Sequence, residues 1–295
     1  MQRKLLTLCV LMLFALSMLI SGCGTVPVTP GQEAVKPAQI GLTIHFIDVG
    51  QGDAILLTTD RKAVLIDSGD VPGKSTNRVV AYIQNQGIKT LDAIIITHPH
   101  ADHIGGIQKV LDSFVVKQVY DSGQITSSQL YKHYLQTIKQ KNIPFALARA
   151  GDVLTVDDGL KLQVLSPREP LFSDINNNSV VLRLLYGEVS FLFTGDIEKE
   201  AEDILLKNSG LLKSTIIKVP HHGSNTSSSA GFLKAVSPET AIIMCGTGND
   251  YHHPHSGTLK KYEQAKIKVY RTDTHGTIIV NTDGKQYQVK VEKQQ

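Results

Sequence analysis

The stretch Asp92-Ala93-Ile94-Ile95-Ile96-Thr97-His98-Pro99-His100-Ala101-Asp102-His103-Ile104-Gly105-Gly106 decides how this chain folds. Its first half is a short, continuous apolar run with three consecutive isoleucines, the pattern of a buried β-strand. Its second half is a knot of three histidines and an aspartate. The knot therefore sits where a strand leaves a sheet, and loops at such places carry function in layered α/β proteins.

The chemistry of the knot is metal binding. Side chains two residues apart in extended backbone point the same way, so His98 and His100 can share one ion. Pro99 biases His98 away from helix. Asp102 and His103 follow at once and can reach a second ion. Imidazole and carboxylate suit Zn, Mn or Fe. Gly105 and Gly106 let backbone pass close to the site. A polar surface loop does not ordinarily gather four ligand-type side chains in six residues.

The run from Thr97 to Gly106 resembles the THxHxDHxGG signature of the metallo-β-lactamase fold superfamily. That resemblance implies an α/β (α+β) protein built as a four-layer αβ/βα sandwich, two facing sheets with helices outside. The wider sequence fits a mixed sheet architecture. Helices alternate with strands, and Asp158-Gly159 and Tyr186-Gly187-Glu188 each read as a hairpin turn. Helices are expected over residues 75–86, 104–111, 127–141, 198–207, 229–236 and 258–265.

The superfamily pattern also implies the remaining ligands. A strand ending in Gly195-Asp196 supplies a carboxylate that bridges two ions, although an aspartate there can also cap the helix that follows. The strand Ile216 to Val219 ends in Pro220-His221-His222-Gly223-Ser224. Spacing leaves either imidazole eligible; the family pattern points to His222, with His221 orienting a ligand or touching substrate. The superfamily usually carries another histidine between the knot and the bridging aspartate. Here the only one is His133, within an amphipathic helix. The expected region instead reads Asp174-Ile175-Asn176-Asn177-Asn178-Ser179, so one of these polar side chains or a water is expected to complete that shell, with Asn178 and Ser179 expected beside the ligands or substrate. The His98/His100 site is therefore expected to be the weaker of two divalent sites, and the metal to be Zn or Mn.

This departure, with Asp48-Val49-Gly50-Gln51-Gly52-Asp53, Phe193-Thr194-Gly195-Asp196, Val219 to Ser224 and Tyr270-Arg271-Thr272-Asp273, resembles the extracytoplasmic metallohydrolase domain of the ComEC competence proteins. That family implies a nuclease acting during DNA uptake. On this reading His98 and His100 hold one ion, Asp102, His103 and His222 hold the other, and Asp196 bridges. Asp102 and His222 are the expected catalytic pair. Asp67, Ser224 and His253 are expected around the ligands or substrate. Asp48 and Asp53 flank a tight turn beneath the site.

The ends and totals of the chain bound its setting. Arg3 and Lys4 precede an apolar run, Leu5 to Ile20, with the length and flanks of a secretory signal. It closes on Leu19-Ile20-Ser21-Gly22-Cys23, resembling a lipoprotein signal that leaves a lipidated Cys23. The expected organisation is a signal peptide over 1–22, a lipidated cysteine and flexible tether over 23–40, and one domain over 41–295. The domain is then held by lipid at the extracytoplasmic face of a bacterial membrane. Removing 1–22 leaves 28 Lys+Arg against 27 Asp+Glu, near neutrality, with no basic footprint for nucleic acid. Cys245 is then the one cysteine left unmodified, so no disulfide partner exists for it. Three functions fit: a phosphodiesterase or nuclease, a small ester, lactone or lactam hydrolase, and a non-catalytic DNA-uptake or scaffold lipoprotein.

Overall fold

A computed structural model describes residues 41–69, 76–157 and 159–293. The expected signal, tether and Cys23 lie outside the described residues. Eight strands form one sheet, in the order β17-β16-β1-β2-β3-β5-β7-β8. They are β1 (Leu42–Phe46), β2 (Ile55–Thr58), β3 (Ala63–Ile66), β5 (Ala93–Ile96), β7 (Val119–Asp121), β8 (Phe145–Leu147), β16 (Ile278–Thr282) and β17 (Tyr287–Val291). Seven form the other, in the order β15-β14-β13-β12-β11-β10-β9. These are β9 (Val153–Asp157), β10 (Leu160–Ser166), β11 (Val181–Tyr186), β12 (Val189–Phe193), β13 (Ile216–Lys218), β14 (Thr240–Ile243) and β15 (Lys268–Arg271). A short pair, β4 (Thr90–Leu91) and β6 (Val115–Val116), stands apart.

Strand periodicity builds the layers. Along β5, Ala93 and Ile95 turn to an inner core with Phe46, Ile66, Leu182, Phe191, Phe193 and Ile216 from both sheets. Ile94 and Ile96 turn outward against helices. Those helices are α1 (Thr76–Asn85), α2 (Ala101–Ile104), α3 (Ile107–Ser113) and α4 (Gln129–Gln140). They contribute Ile83, Ile104, Ile107, Val110, Tyr134 and Ile138. On the far side, α5 (Lys199–Leu206), α6 (Ala230–Val236) and α7 (Ser256–Gln264) cover Leu192, Ile217 and Ile243 with Leu205, Phe232 and Tyr262. Three apolar layers between four structural ones make the expected αβ/βα sandwich.

Several expected elements are redrawn. The helix expected over 104–111 is two pieces, α2 and α3, separated at Gly105–Gly106. The segment after α3 forms two strands, because Val115–Val116 pairs with β4 while Val119–Asp121 joins the large sheet. β8 and a one-turn helix, α8 (Thr272–His275), were not expected. His133 is exposed on α4, as expected of a surface residue. Cys245 is buried, and burial pushes its thiol up to about 12, which favours the protonated, less nucleophilic form. Among the described residues, no helix is long and apolar enough to cross a membrane.

The topology gathers functional loops at one end. β3, β5 and β7 run parallel, as do β12, β13 and β14. Their carboxyl ends release Asp67, His98, Asp196, His222 and the loop beginning at Met244. β1 is antiparallel to β2, and β2 to β3, so the turn after β1 reaches the same end. β11 is antiparallel to β12, so its leading segment, Asn176 to Val180, arrives there too.

At the end of β7, Asp121 is fully buried and accepts hydrogen bonds from Gly123 N (2.6 Å), Tyr134 Oη (3.1 Å) and Tyr131 Oη (3.4 Å). Burial outweighs these bonds and pushes its carboxyl up to about 6. The folded chain thus keeps this proton longer than the unfolded chain does. The associated stability is fully present below about pH 4 and lost as pH rises through 6, amounting to about 3 kcal/mol. In urea titrations, the unfolding free energy of wild type relative to Asp121→Asn is expected to drop by that amount between pH 4 and 7. A pH-independent difference would show that Asp121 ionises normally.

Candidate metal centre

Four donor atoms converge where the two sheets' loops meet. His103 Nε2 and His222 Nε2 each lie 3.1 Å from Asp196 Oδ2. Asp102 Oδ2 lies 3.1 Å from His222 Nε2 and 3.9 Å from His103 Nε2. His103, His222 and Asp196 are buried, while the Asp102 side chain is 23% exposed and forms the open side. Two imidazole nitrogens and two carboxylate oxygens this close form a donor set fitted to a divalent cation.

The electrostatics agree. Burial would push the His103 imidazole down, but Asp196, Asp102 and Asp67 outweigh it and hold it well above the ordinary histidine value. His222 behaves alike: burial opposes its proton, and Asp196 and Asp102 overcome that opposition. Burial would likewise raise Asp196 and Asp102, yet the imidazoles hold both carboxyls low. The pocket thus concentrates negative charge that calls for cations, and a divalent ion satisfies it as two imidazolium protons do.

Each donor is aimed by a second contact. His103 Nδ1 lies 2.8 Å from Asp67 Oδ2, and Asp67 is fixed in turn by Thr97 N (2.8 Å) and Thr97 Oγ1 (2.6 Å). Asp67 thus stands where sequence placed it, against a histidine of the knot. His222 Nδ1 donates to Met244 O at 2.8 Å. His221 and His222 both occupy the left-handed region, with φ of 48° and 53°. That rare backbone turns His222 into the cluster and His221 outward, to Glu198 Oε1 (3.0 Å) and Thr226 Oγ1 (3.2 Å). The ligand-orienting role expected of His221 falls instead to the Met244 carbonyl, while His221 lines the cleft.

A buried lysine underlies the cluster. Lys218 Nζ contacts Asp53 Oδ2 (2.5 Å), Gly195 O (3.0 Å) and Asp196 Oδ1 (3.4 Å). Burial opposes its charge, but Asp53 and Asp196 hold it ionised. Asp53 also lies 3.5 Å from His222 Nδ1, and its backbone N–H donates to Asp102 O at 3.1 Å. Asp53 therefore sits beside the chemistry, whereas Asp48 closes the turn, accepting from Gly50 N, and pairs with Arg78 and Lys293. Gly52 has a φ of 117°, and a side chain there would strike the Asp102 carbonyl.

The other half of the knot forms a second pair. His98 Nε2 is 3.1 Å from His100 Nδ1. His98 is buried, and burial together with His103 holds it well below its usual value, leaving a neutral imidazole. Its Nδ1 meets Ser179 Oγ at 3.3 Å, and the same oxygen accepts from Asp196 N at 3.1 Å. Ser179 thus ties His98 to Asp196. Asn178 does not take part. Its amide is used by Phe172, Asp174 and Gln124, because the short helix at Asn176–Asn178 turns it toward the loop. Asn176 lines the cleft instead. Ser224 is likewise spent locally, accepting from Thr226. Asp196 is not a helix cap; Glu198 holds that place. The cleft over the centre has a volume near 390 Å³ and is also lined by Gln51, Tyr251 and His253.

The Metallo-beta-lactamase superfamily profile matches residues 47–247. The chain is 35% identical to ComE operon protein 3 of Bacillus subtilis (strain 168) over 251 residues, covering 80% of this chain and 32% of that protein. This chain therefore spans about a third of that competence relative's length. It is 27% identical to Exodeoxyribonuclease WalJ of Streptococcus pneumoniae over 233 residues, covering 71% of this chain and 82% of the relative. The solved metallo-beta-lactamase fold protein YhfI from Bacillus subtilis superposes with a TM-score of 0.55 at 13% identity, over 82% of this chain and all of that one. The first resemblance bears out the ComEC likeness, and the last supports the fold.

The two donor groups are separable by experiment. His103→Ala is expected to abolish tight metal binding in calorimetry, whereas His98→Ala leaves one tight site. Asp67→Ala, which frees the second nitrogen of His103, is expected to weaken binding about 10- to 100-fold. Equal losses in His98→Ala and His103→Ala would merge the two groups into one.

Proposed function

This chain belongs to the metallo-β-lactamase superfamily and is a metallohydrolase of that fold, and from that footing we propose that it is an exported phosphodiesterase acting on nucleic acid. The observation that carries the reading is the convergence of Asp102, His103, Asp196 and His222 beneath an open cleft. The names of two relatives, a competence protein and an exodeoxyribonuclease, direct it toward DNA.

A bound divalent ion would supply Lewis acidity toward a phosphoryl oxygen and make water nucleophilic at neutral pH. Asp102, His103, Asp196 and His222 would hold the principal ion. His98 and His100 are the donors for a second, weaker one, with Ser179 behind His98. Zn or Mn suits these imidazole and carboxylate donors. Asp196 presents Oδ2 to the imidazoles and Oδ1 to Lys218, so its capacity to bridge two ions is shared with a fixed cation. Asp102, the donor open to the cleft, orients the attacking water. Lys218 balances the carboxylates, so that an anionic phosphodiester can approach a centre near neutrality.

The cellular setting rests on the N-terminal sequence: export by the signal over 1–22 and anchoring by lipid at Cys23, facing away from the cytoplasm.

The test is strand cleavage with a Mn and Zn series. Wild type is expected to cut single-stranded DNA, and Asp196→Ala to lose at least about a hundredfold, since it removes a donor rather than an outer contact. Turnover of lactams or lactones without DNA cleavage would assign the small-ester reading. Absence of bound metal in wild type would leave a binding lipoprotein.

A further inference from the structure

Resting on the phosphodiesterase reading, we propose that Tyr251 is a stacking platform for one nucleobase of a single strand lying in the cleft. Tyr251 is 63% exposed. Exposure alone is ordinary; a platform needs one face backed and the other open. His253 backs this ring, with centroids 5.7 Å apart and planes within 19°. His253 lies in turn 6.0 Å from His222, at 30°. Aromatic rings therefore run in series from solvent to a donor of the metal centre.

The loop that carries Tyr251 is held in shape. Asn249 donates to Gly246 O (2.8 Å) and His253 O (2.6 Å), and accepts from His253 N (2.9 Å). Gly246 N donates to Gln51 Oε1 at 3.2 Å, and His255 N to Gly223 O at 3.0 Å. A ring already fixed loses little freedom when a base stacks on it.

The same cleft holds unspent polar atoms. Gln51 Nε2, Asn176 Oδ1 and His253 Nδ1 are buried and have no hydrogen-bond partner among the described residues. Asn176 and His253 are only 9% and 8% exposed. Unpaired buried polar atoms are costly and rare, and three around one cleft mark it as shaped for a polar ligand. Gln51 offers a donor and Asn176 an acceptor, beside a flat apolar face. Gln51, Asn176 and Tyr251 line one cleft, so a nucleobase flanking the scissile phosphate meets the ring where polar groups are near. Stacking on tyrosine tolerates every base, so the platform positions the strand without choosing its sequence.

The experiment uses wild type, Tyr251→Phe and Tyr251→Ala with two single strands of equal length, one carrying 2-aminopurine and one abasic. Binding is expected to quench 2-aminopurine fluorescence in wild type and Tyr251→Phe, but not in Tyr251→Ala. With Mn, Tyr251→Ala is expected to raise KM for the base-bearing strand about tenfold with kcat nearly unchanged. All three proteins should cut the abasic strand alike. Equal quenching and equal KM across the three proteins would overturn the platform while leaving the nuclease reading intact. Quenching in wild type and Tyr251→Phe without cleavage of either strand would support the platform and overturn the phosphodiesterase reading alone.

Discussion

One buried ion pair, Lys218 with Asp53, carries the electrostatic load of the site. Asp53, Asp67 and Asp196 are all withdrawn from water within a few side chains of one another. Carboxylates so placed repel one another and resist burial. Lys218 is the permanent cation among them, and it touches Asp53, Asp196 and the Gly195 carbonyl together. Through the Asp53 backbone the same pair reaches Asp102, and through the Asp53 side chain it reaches His222. Four segments distant in sequence are thereby brought into register around one ammonium group. Buried pairs of this kind give little net stability, but loss of one partner leaves an uncompensated charge. Their contribution here is positional.

The sandwich then acts as a jig for those segments. Parallel runs in each sheet point their carboxyl ends to one rim, so interior strands of each sheet, paired on both sides, supply the principal donors. β5 leads to His98 and His103, β12 to Asp196 and β13 to His222. Central strands are the least mobile parts of a sheet, and donors mounted on their ends inherit that rigidity. The consecutive left-handed residues His221 and His222 complete the placement, turning two neighbouring imidazoles to different tasks.

Much of this was legible in sequence because apolar runs and ligand types are local signals. Ala93 to Ile96 reads as a strand without any tertiary knowledge, and the knot after it reads as metal chemistry. What escaped is what depends on orientation. Asn178 and Asn176 are indistinguishable by type and spacing, yet a single short helical turn sends one into the loop and the other to the cleft. Lys218 hid inside an apolar strand, where one lysine looks like an edge residue; its partner Asp53 lies far away in the chain. Tyr251 carried no signal at all, since only the ring of His253 beneath it makes it more than a surface tyrosine. The division of 104–111 into two helices was written in Gly105-Gly106, which permits a break without requiring one. β8 is short and half exposed, so its residues lack the buried pattern that marks a strand.

The donors come from loops as distant as those of Asp102 and His222, and the contacts that aim them extend to Asp53, Asp67 and Met244. No part of the chain smaller than both sheets together can present the set. An ion captured there therefore has no affinity for a partly folded chain, and its binding free energy adds to the stability of the whole domain rather than to one loop. For a protein whose described residues hold one buried, unpaired cysteine, the metal centre is then the nearest equivalent of a cross-link. It is a staple set by the supply of metal, and activity and lifetime would rise and fall together with that supply.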